Sequence, residues 1–180
     1  MMQTREKISS ELERVFTRRG FAAPGVAELK KAANVSLRTL YRYFPSKTEM
    51  IIGALDFRHH RYRVFLARDA PEPGDGAVLH IFQRLDQWME TYAPKGCLSI
   101  NALSDYPEDK KIEGAVQRHK QEILQLFEHY SGRSEIVDEL YLIHEGLSAA
   151  WPLFGTRASR AAEKAVLKLF HHDAVHHNEA

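Results

Sequence analysis

Along this chain apolar residues recur at intervals of three and four, and the spacing is broken by Gly, Pro or Asn. That is the signature of helices each burying one face. No stretch keeps the strict alternation of a half-buried strand, so the fold class is all-α. Residues 4–19 place Ile8, Leu12, Val15 and Phe16 on one face, with Arg5, Lys7, Arg14, Arg18 and Arg19 off it or beside it. Thr4 is expected to cap this helix, Gly20 to end it, and Phe21 to pack back onto it. A second helix is expected from Pro24 or Gly25 to Ala33, with Val26, Leu29 and Ala33 (or Ala32) inward. Asn34 follows, a residue that tolerates the left-handed turn conformation. Further helices are read from Ser46 to about Arg68, over 77–92, from Cys97 to Tyr106, from Lys110 to Tyr130, from about Ser134 through Trp151, and from Thr156 through Phe170. The loop at 70–76, A-P-E-P-G-D-G, separates two of them. Met50, Ile51, Ala54, Phe57, Arg61, Phe65 and Leu66 form the expected inward stripe of the helix from Ser46, with Arg58, His59, His60 and Arg63 elsewhere. Pro152 is expected to kink or end its helix, and the polar tail from about His171 to fray.

One short stretch does not serve a core. Val35 to Glu49 reads V-S-L-R-T-L-Y-R-Y-F-P-S-K-T-E. Ser36 suits an N-cap. Leu40 and Phe44, four apart, share a face with Val35 beneath them, while Leu37, Arg38, Tyr41 and Arg42 fall largely on other faces. Pro45 disfavours helical geometry at Phe44, and Ser46 with Glu49 has the S-x-x-E spacing of a capping box that opens the next helix. Two helical turns with so thin an apolar seam bury little. Arg, Thr and Tyr on the open side suit phosphates and base edges. Helix, short turn, short helix is helix-turn-helix spacing, with the second helix offered to the major groove.

Charge distribution agrees. The net charge of +1 conceals a basic head: residues 1–48 hold ten Lys/Arg and four Asp/Glu, against 15 and 20 in the remainder. A head of +6 on a body of −5 is a local nucleic-acid footprint. The single cysteine, Cys97, excludes an internal disulfide and a Cys-rich zinc site. No apolar run is long enough for a membrane span and the N-terminus lacks a signal-peptide core, so the expected location is the cytoplasm.

Residues 20–50 resemble the N-terminal DNA-binding motif of the TetR/AcrR family of bacterial transcriptional regulators. The residues that carry the resemblance are Val35-Ser36, Thr39-Leu40-Tyr41, Tyr43-Phe44, Lys47 and Glu49, with Phe21 and the segment Val26 to Ala33 upstream. The outline of about nine helices, three in the head, is also similar, and G-C-L-S-I-N-A-L-S-D (96–105) resembles a stretch common in one branch. There are departures: Pro24-Gly25 where the family often has hydroxyl residues, Lys30 where a small residue is usual, Asn34 for the turn glycine, and Arg38 for a common small residue. The resemblance implies a helix-turn-helix DNA-binding domain at 1–47 and an effector-binding and dimerisation domain at 48–180. It implies a homodimer formed by the last two helices (about 134–172), a double-stranded DNA operator as partner, an unknown small-molecule effector, and repression relieved by that effector.

On this reading Leu37, Arg38, Thr39 and Arg42 face the groove, and Ser36, Tyr41, Tyr43 and Lys47 hold phosphates. The effector cavity would lie among middle-helix residues that include Tyr62, Phe65, Trp88, Asn101, Phe127 and His144. A mostly apolar pocket with a few polar groups suits small lipophilic ligands. Ala150, Ala158, Ala161, Ala162 and Ala165 would let helices approach closely, with Leu147, Leu169 and Phe170 supplying apolar area. No catalytic residue, cofactor or metal site is expected. Cys97 between apolar neighbours reads as a buried inert thiol, and His171, His172, His176 and His177 as a solvated tail rather than a metal site. Two rivals stand beside the regulator: an all-helical enzyme using Cys97 with His119 or His144, and a ligand-binding helical protein without DNA binding.

Overall fold

The computed structural model describes residues 4–176, with side chains described through His171. Among the described residues there are nine α-helices, one 3-10 turn and no strand. The helices are α1 (Thr4–Arg19), α2 (Val26–Ala32), α3 (Leu37–Tyr43), α4 (Lys47–Ala67), α5 (Asp75–Tyr92), α6 (Leu98–Asp105), α7 (Lys110–Ser131), α8 (Val137–Phe154) and α9 (Thr156–His176), with the 3-10 turn at Ser134–Ile136 before α8.

The expected boundaries hold to within a few residues, and the exceptions have physical reasons. Pro24 lies before α2, whose N-cap is Gly25. Thr4 is the first helical residue of α1, not its cap, and α9 begins at Thr156 as expected. Pro152 sits inside α8 without ending it; Gly155, at φ 50°, does so. The backbone of α9 stays helical to His176, past the point where fraying was expected. The side chains of His172 and His176, and all of His177, lie outside the described residues.

The chain divides into two compact units. The first comprises residues up to Arg61 together with Leu98–Lys120; the second comprises Tyr62–Cys97 together with residues from Gln121 on. Packing therefore does not divide at residue 47, because Met50, Ile51, Ala54 and Leu55 of α4, with Leu98, Ala102, Ile112 and Val116 of α6 and α7, complete the core begun by Ile8, Leu12, Phe16, Leu29, Leu40 and Phe44. A two-turn helix such as α3 buries only Leu40, so the head relies on apolar area from beyond itself.

Two features knit the first unit. Phe21 stacks on Phe16 with ring centroids 4.9 Å apart, as its expected return onto α1 requires. Glu13 is buried on α1, and its two carboxylate oxygens accept hydrogen bonds from Arg58 and Arg61 of α4, both at 2.7 Å. Arg58 falls off the inward stripe that the spacing predicts, yet it is buried, and Glu13 is the reason. A buried carboxylate is tolerable only with such partners.

The second unit has its own core. Val78, Ile81, Phe82, Leu85 and Trp88 of α5 pack with Phe127 of α7, Leu140 and Leu147 of α8, and Val166 and Phe170 of α9. Its loop ends are tied by Gly74, which donates its backbone N–H to Tyr130 at 2.8 Å, and by Arg133, which pairs with Asp75 at 2.8 Å.

Candidate nucleic-acid interface and aromatic cluster

The α2–α3 pair is built by local chemistry. Asn34 adopts φ 51°, the left-handed turn expected of it. The Ser36 hydroxyl accepts the Thr39 backbone N–H at 3.0 Å and lies 2.9 Å from the Thr39 hydroxyl, which caps α3 and fixes its first turn. Leu40 and Phe44 point into the core at 0% and 1% exposure. The opposite side is open: Ser36, Leu37, Arg38, Tyr41 and Arg42 are exposed, Leu37 at 47% and Tyr41 at 40%. Large apolar side chains left in water on a basic helix mark a contact surface.

Three expected members are partly committed elsewhere. Thr39 is half-buried and engaged with Ser36. Tyr43 is half-buried; its hydroxyl accepts from Arg42 at 3.3 Å, and the Arg42 guanidinium lies 5.0 Å from its ring centroid. Lys47 donates to the Ala22 carbonyl at 3.0 Å, with its ammonium 5.8 Å from the Tyr106 ring centroid. A phosphate would have to compete with that carbonyl for Lys47. Lys30 is half-buried rather than freely solvated.

The capping box before α4 is half made. Ser46 accepts the Glu49 N–H at 3.1 Å, but the Glu49 carboxylate pairs with Lys111 at 3.1 Å. Nearby, the Thr48 hydroxyl donates to Asp109 at 2.7 Å. That bond, with backbone N–H groups of Ile112 and Lys111 and the Lys111 charge, holds the Asp109 carboxyl below its ordinary pKa against the opposing effect of burial. Gly53 of α4 is where Phe44 lies: a Cβ there would sit 2.3 Å from the ring.

Of the six middle-helix residues expected together, five converge in the second unit. The Tyr62 hydroxyl is 2.5 Å from His144 Nε2, and His144 Nδ1 is 3.1 Å from the Glu145 carboxylate. A carboxylate only accepts, so His144 Nδ1 donates to Glu145, and in the neutral ring Nε2 accepts a hydrogen bond from the Tyr62 hydroxyl. Trp88 lies 5.0 Å from the Tyr62 ring and 5.4 Å from Phe65, and Phe127 meets His144 edge-on at 5.7 Å. The sixth, Asn101, is exposed on α6 in the other unit and does not belong to this cluster. Arg84, which no spacing singled out, stands over Phe65 at 3.8 Å and donates to the Phe65 carbonyl at 3.0 Å. Cys97 is half-buried, not buried as expected. His119 donates through Nε2 to the Asp56 carboxylate at 2.8 Å and stacks on His59 at 4.2 Å. Among the described residues no group of three or more His, Cys, Asp or Glu could hold a metal ion. No helix among them is long and apolar enough to cross a membrane.

On α8 and α9, Leu142, Leu153, Phe154 and Leu167 are exposed, Leu153 at 81%. Between these helices runs a groove of about 310 Å³ lined by Ile143, Gly146, Ala150, Phe154, Ala158, Ala161 and Ala162 among others.

A capped recognition helix with a basic exposed face, set against a second short helix across a left-handed turn, defines a helix-turn-helix protein. Residues 8–54 match the family model for bacterial regulatory proteins of the tetR family. The HTH-type transcriptional repressor NemR of Escherichia coli K12 is 28% identical over 115 residues, 60% of this chain and 58% of that repressor's length. The match thus spans little more than half of that relative. Among solved structures, SCO4454, a TetR-family transcriptional regulator from Streptomyces coelicolor, superposes with TM-score 0.82 at 23% identity, covering 93% of this chain and 88% of that one. A cysteine mutant of the TetR-family regulator CifR, solved with 26-bp double-strand operator DNA, superposes with TM-score 0.72 at 23% identity, covering 89% and 94%. At such identities the structural likeness is one of fold. The likeness to tetR-family regulators thus rests on residues 8–54 by sequence and, over nearly the whole chain, on the fold.

Proposed function

We propose that this protein is a homodimeric repressor, acting in the cytoplasm, that leaves a palindromic operator when a small molecule binds it. The observation that carries the reading is the exposed face of α3, where Leu37, Arg38, Tyr41 and Arg42 stand free of the core on a helix fixed by the Ser36 cap. In this division of labour residues 1–47 read DNA and residues 48–180 bind effector and dimerise. Leu37, Arg38, Thr39 and Arg42 reach base edges, while Ser36, Tyr41, Tyr43 and Lys47 contact phosphates. An Arg paired bidentately with guanine discriminates by about 1–3 kcal/mol. Two heads of a dimer meet successive major grooves roughly 34–36 Å apart.

Dimerisation through α8 and α9 is supported by Leu142, Leu153, Phe154 and Leu167, which expose too much apolar surface for a monomer's outer face, and by alanines that permit close helix approach. The effector would enter the aromatic cluster of Tyr62, Phe65, Trp88, Phe127 and His144. The Tyr62–His144–Glu145 chain supplies polar groups inside an apolar surround, the arrangement that selects a small lipophilic ligand with one hydrogen-bonding end. Its binding favours a head spacing that cannot engage both half-sites. The CifR–operator complex supports the DNA-binding part by fold analogy.

The test is an electrophoretic shift on DNA upstream of the coding sequence, comparing the chain with its Arg38→Ala plus Arg42→Ala variant. Loss of the shifted band in the variant is expected. Equal binding by both would overturn the placement of α3 in the groove.

A further inference from the structure

We infer that Asp105, the last residue of α6, is the positioning residue that sets the reading head for DNA, acting through the backbone of the turn between α1 and α2. The inference rests on the DNA-binding reading above. A carboxylate at a helix C-terminus faces the negative end of the helix dipole and is disfavoured there. Where a local preference is broken, a compensating contact should exist, and one does. Asp105 Oδ2 accepts the backbone N–H of Phe21 at 2.9 Å and of Ala22 at 3.2 Å, across more than eighty residues of sequence.

That turn has no helical bonding of its own. Gly20, at φ 73°, ends α1 after donating to Phe16, and the next two N–H groups need partners from elsewhere. The turn's carbonyls are held as well. The Tyr106 hydroxyl donates to the Phe21 carbonyl at 3.4 Å, and Lys47 donates to the Ala22 carbonyl at 3.0 Å. Two N–H and two C=O groups of one turn are thus clasped by the end of α6 and the start of α4. Within the turn's reach, Arg19 of α1 pairs with Glu28 of α2 at 2.9 Å. The turn sets the angle at which α2 leaves α1, and α2 carries α3. A shift of the α6 end therefore reaches the recognition helix through the Asp105 carboxylate.

The test uses the full chain and two variants, Asp105→Ala and Asp105→Asn, read by amide hydrogen exchange and by fluorescence anisotropy on operator DNA. In Asp105→Ala the Phe21 and Ala22 amides should exchange at least about tenfold faster and operator affinity should fall about tenfold, the loss expected for one charge-assisted acceptor. Amides of the α5 core, such as Leu85, should be unaffected. Asn keeps an oxygen that accepts both N–H groups, so it should hold affinity within about threefold. If Asp105→Ala does not fold, Asp105→Ser, too short to reach the turn, takes its place. Unchanged protection of Phe21 and Ala22 in the Ala or Ser variant overturns the inference. So does accelerated exchange with unchanged operator affinity, or equal loss of affinity in Ala and Asn with the turn still protected in Asn. If the unmodified chain binds no operator, the regulator reading fails, and the exchange data still decide whether Asp105 holds the turn.

Discussion

Replacing Gly53 by Ala tests how tightly α3 is seated on α4. On helix propensity alone Gly→Ala should stabilise a helix interior by about 1 kcal/mol. At Gly53 the new Cβ would lie 2.3 Å from Phe44 Cε1 and 3.1 Å from Cδ1 and Cζ, well inside contact distance. The ring cannot swing into solvent, since Phe44 is 1% exposed and is the C-cap of α3, bound through its N–H to Leu40 at 2.9 Å. Overpacking of this kind costs about 1–3 kcal/mol, and a separation this short belongs at the upper end. The net expectation is a loss of about 1–2 kcal/mol. Gly114, in the interior of α7, is the internal control, because a Cβ there meets nothing within 4 Å. Gly114→Ala should gain about 0.4–1 kcal/mol. In urea denaturation the two variants should therefore separate in opposite directions from the parent, with Tm values moving about 2–4 °C per kcal/mol for a chain of this size. Because Phe44 terminates the recognition helix, Gly53→Ala should also weaken operator binding, and Gly114→Ala should not. A Gly53→Ala protein as stable as Gly114→Ala would refute the seating of α3 on α4.

Glu13→Gln leaves Arg58 and Arg61 facing a neutral amide in a buried place, and urea unfolding should show a loss of about 3 kcal/mol or more. Ser36→Ala removes the acceptor of the Thr39 N–H, and should cost about 1 kcal/mol while reducing operator affinity, measured by anisotropy. The folded pKa of Asp109 is lowered, chiefly by Thr48, so its contribution to stability is fully present above the ordinary value of 3.8 and is lost as pH falls through the folded value. Thr48→Ala should therefore reduce stability near neutrality and flatten the acid limb of a stability-against-pH curve below about pH 4, read by circular dichroism. Leu153→Glu, at an 81% exposed position, should leave folding intact and shift the sedimentation coefficient toward monomer.

What could be read from the chain was local. Helix existence needs only the spacing of apolar residues, and Ser36, Asn34 and Ser46 act within three residues of themselves, so α3 and its caps were legible. Contacts between distant segments were not. Nothing near Arg58 in sequence explains its burial, and it falls off the inward stripe; its partner, Glu13, is 45 residues away. Asn101 was grouped with the aromatic cluster on composition, but α6 packs in the other unit and leaves it exposed. Lys47, expected on phosphate, is engaged by the Ala22 carbonyl 25 residues upstream. Gly53 carried no signal at all, since a glycine in a helical pattern does not announce which ring lies against it. Asp105 did carry one: an acidic residue closing a helix against its dipole, just before Pro107, is a local anomaly that asks for a partner.

The central claim is that α3 reads a specific DNA sequence as one half of a symmetric pair. The most direct measurement is a footprint on the upstream DNA, titrated with salt, for the chain and for Arg42→Ala. The account predicts protection of a palindrome whose half-sites lie about 10 bp apart. Affinity should fall steeply with salt, and Arg42→Ala should weaken binding and relax specificity at one base position of each half-site. Weak protection without sequence preference, erased by salt and indifferent to Arg42, would contradict it.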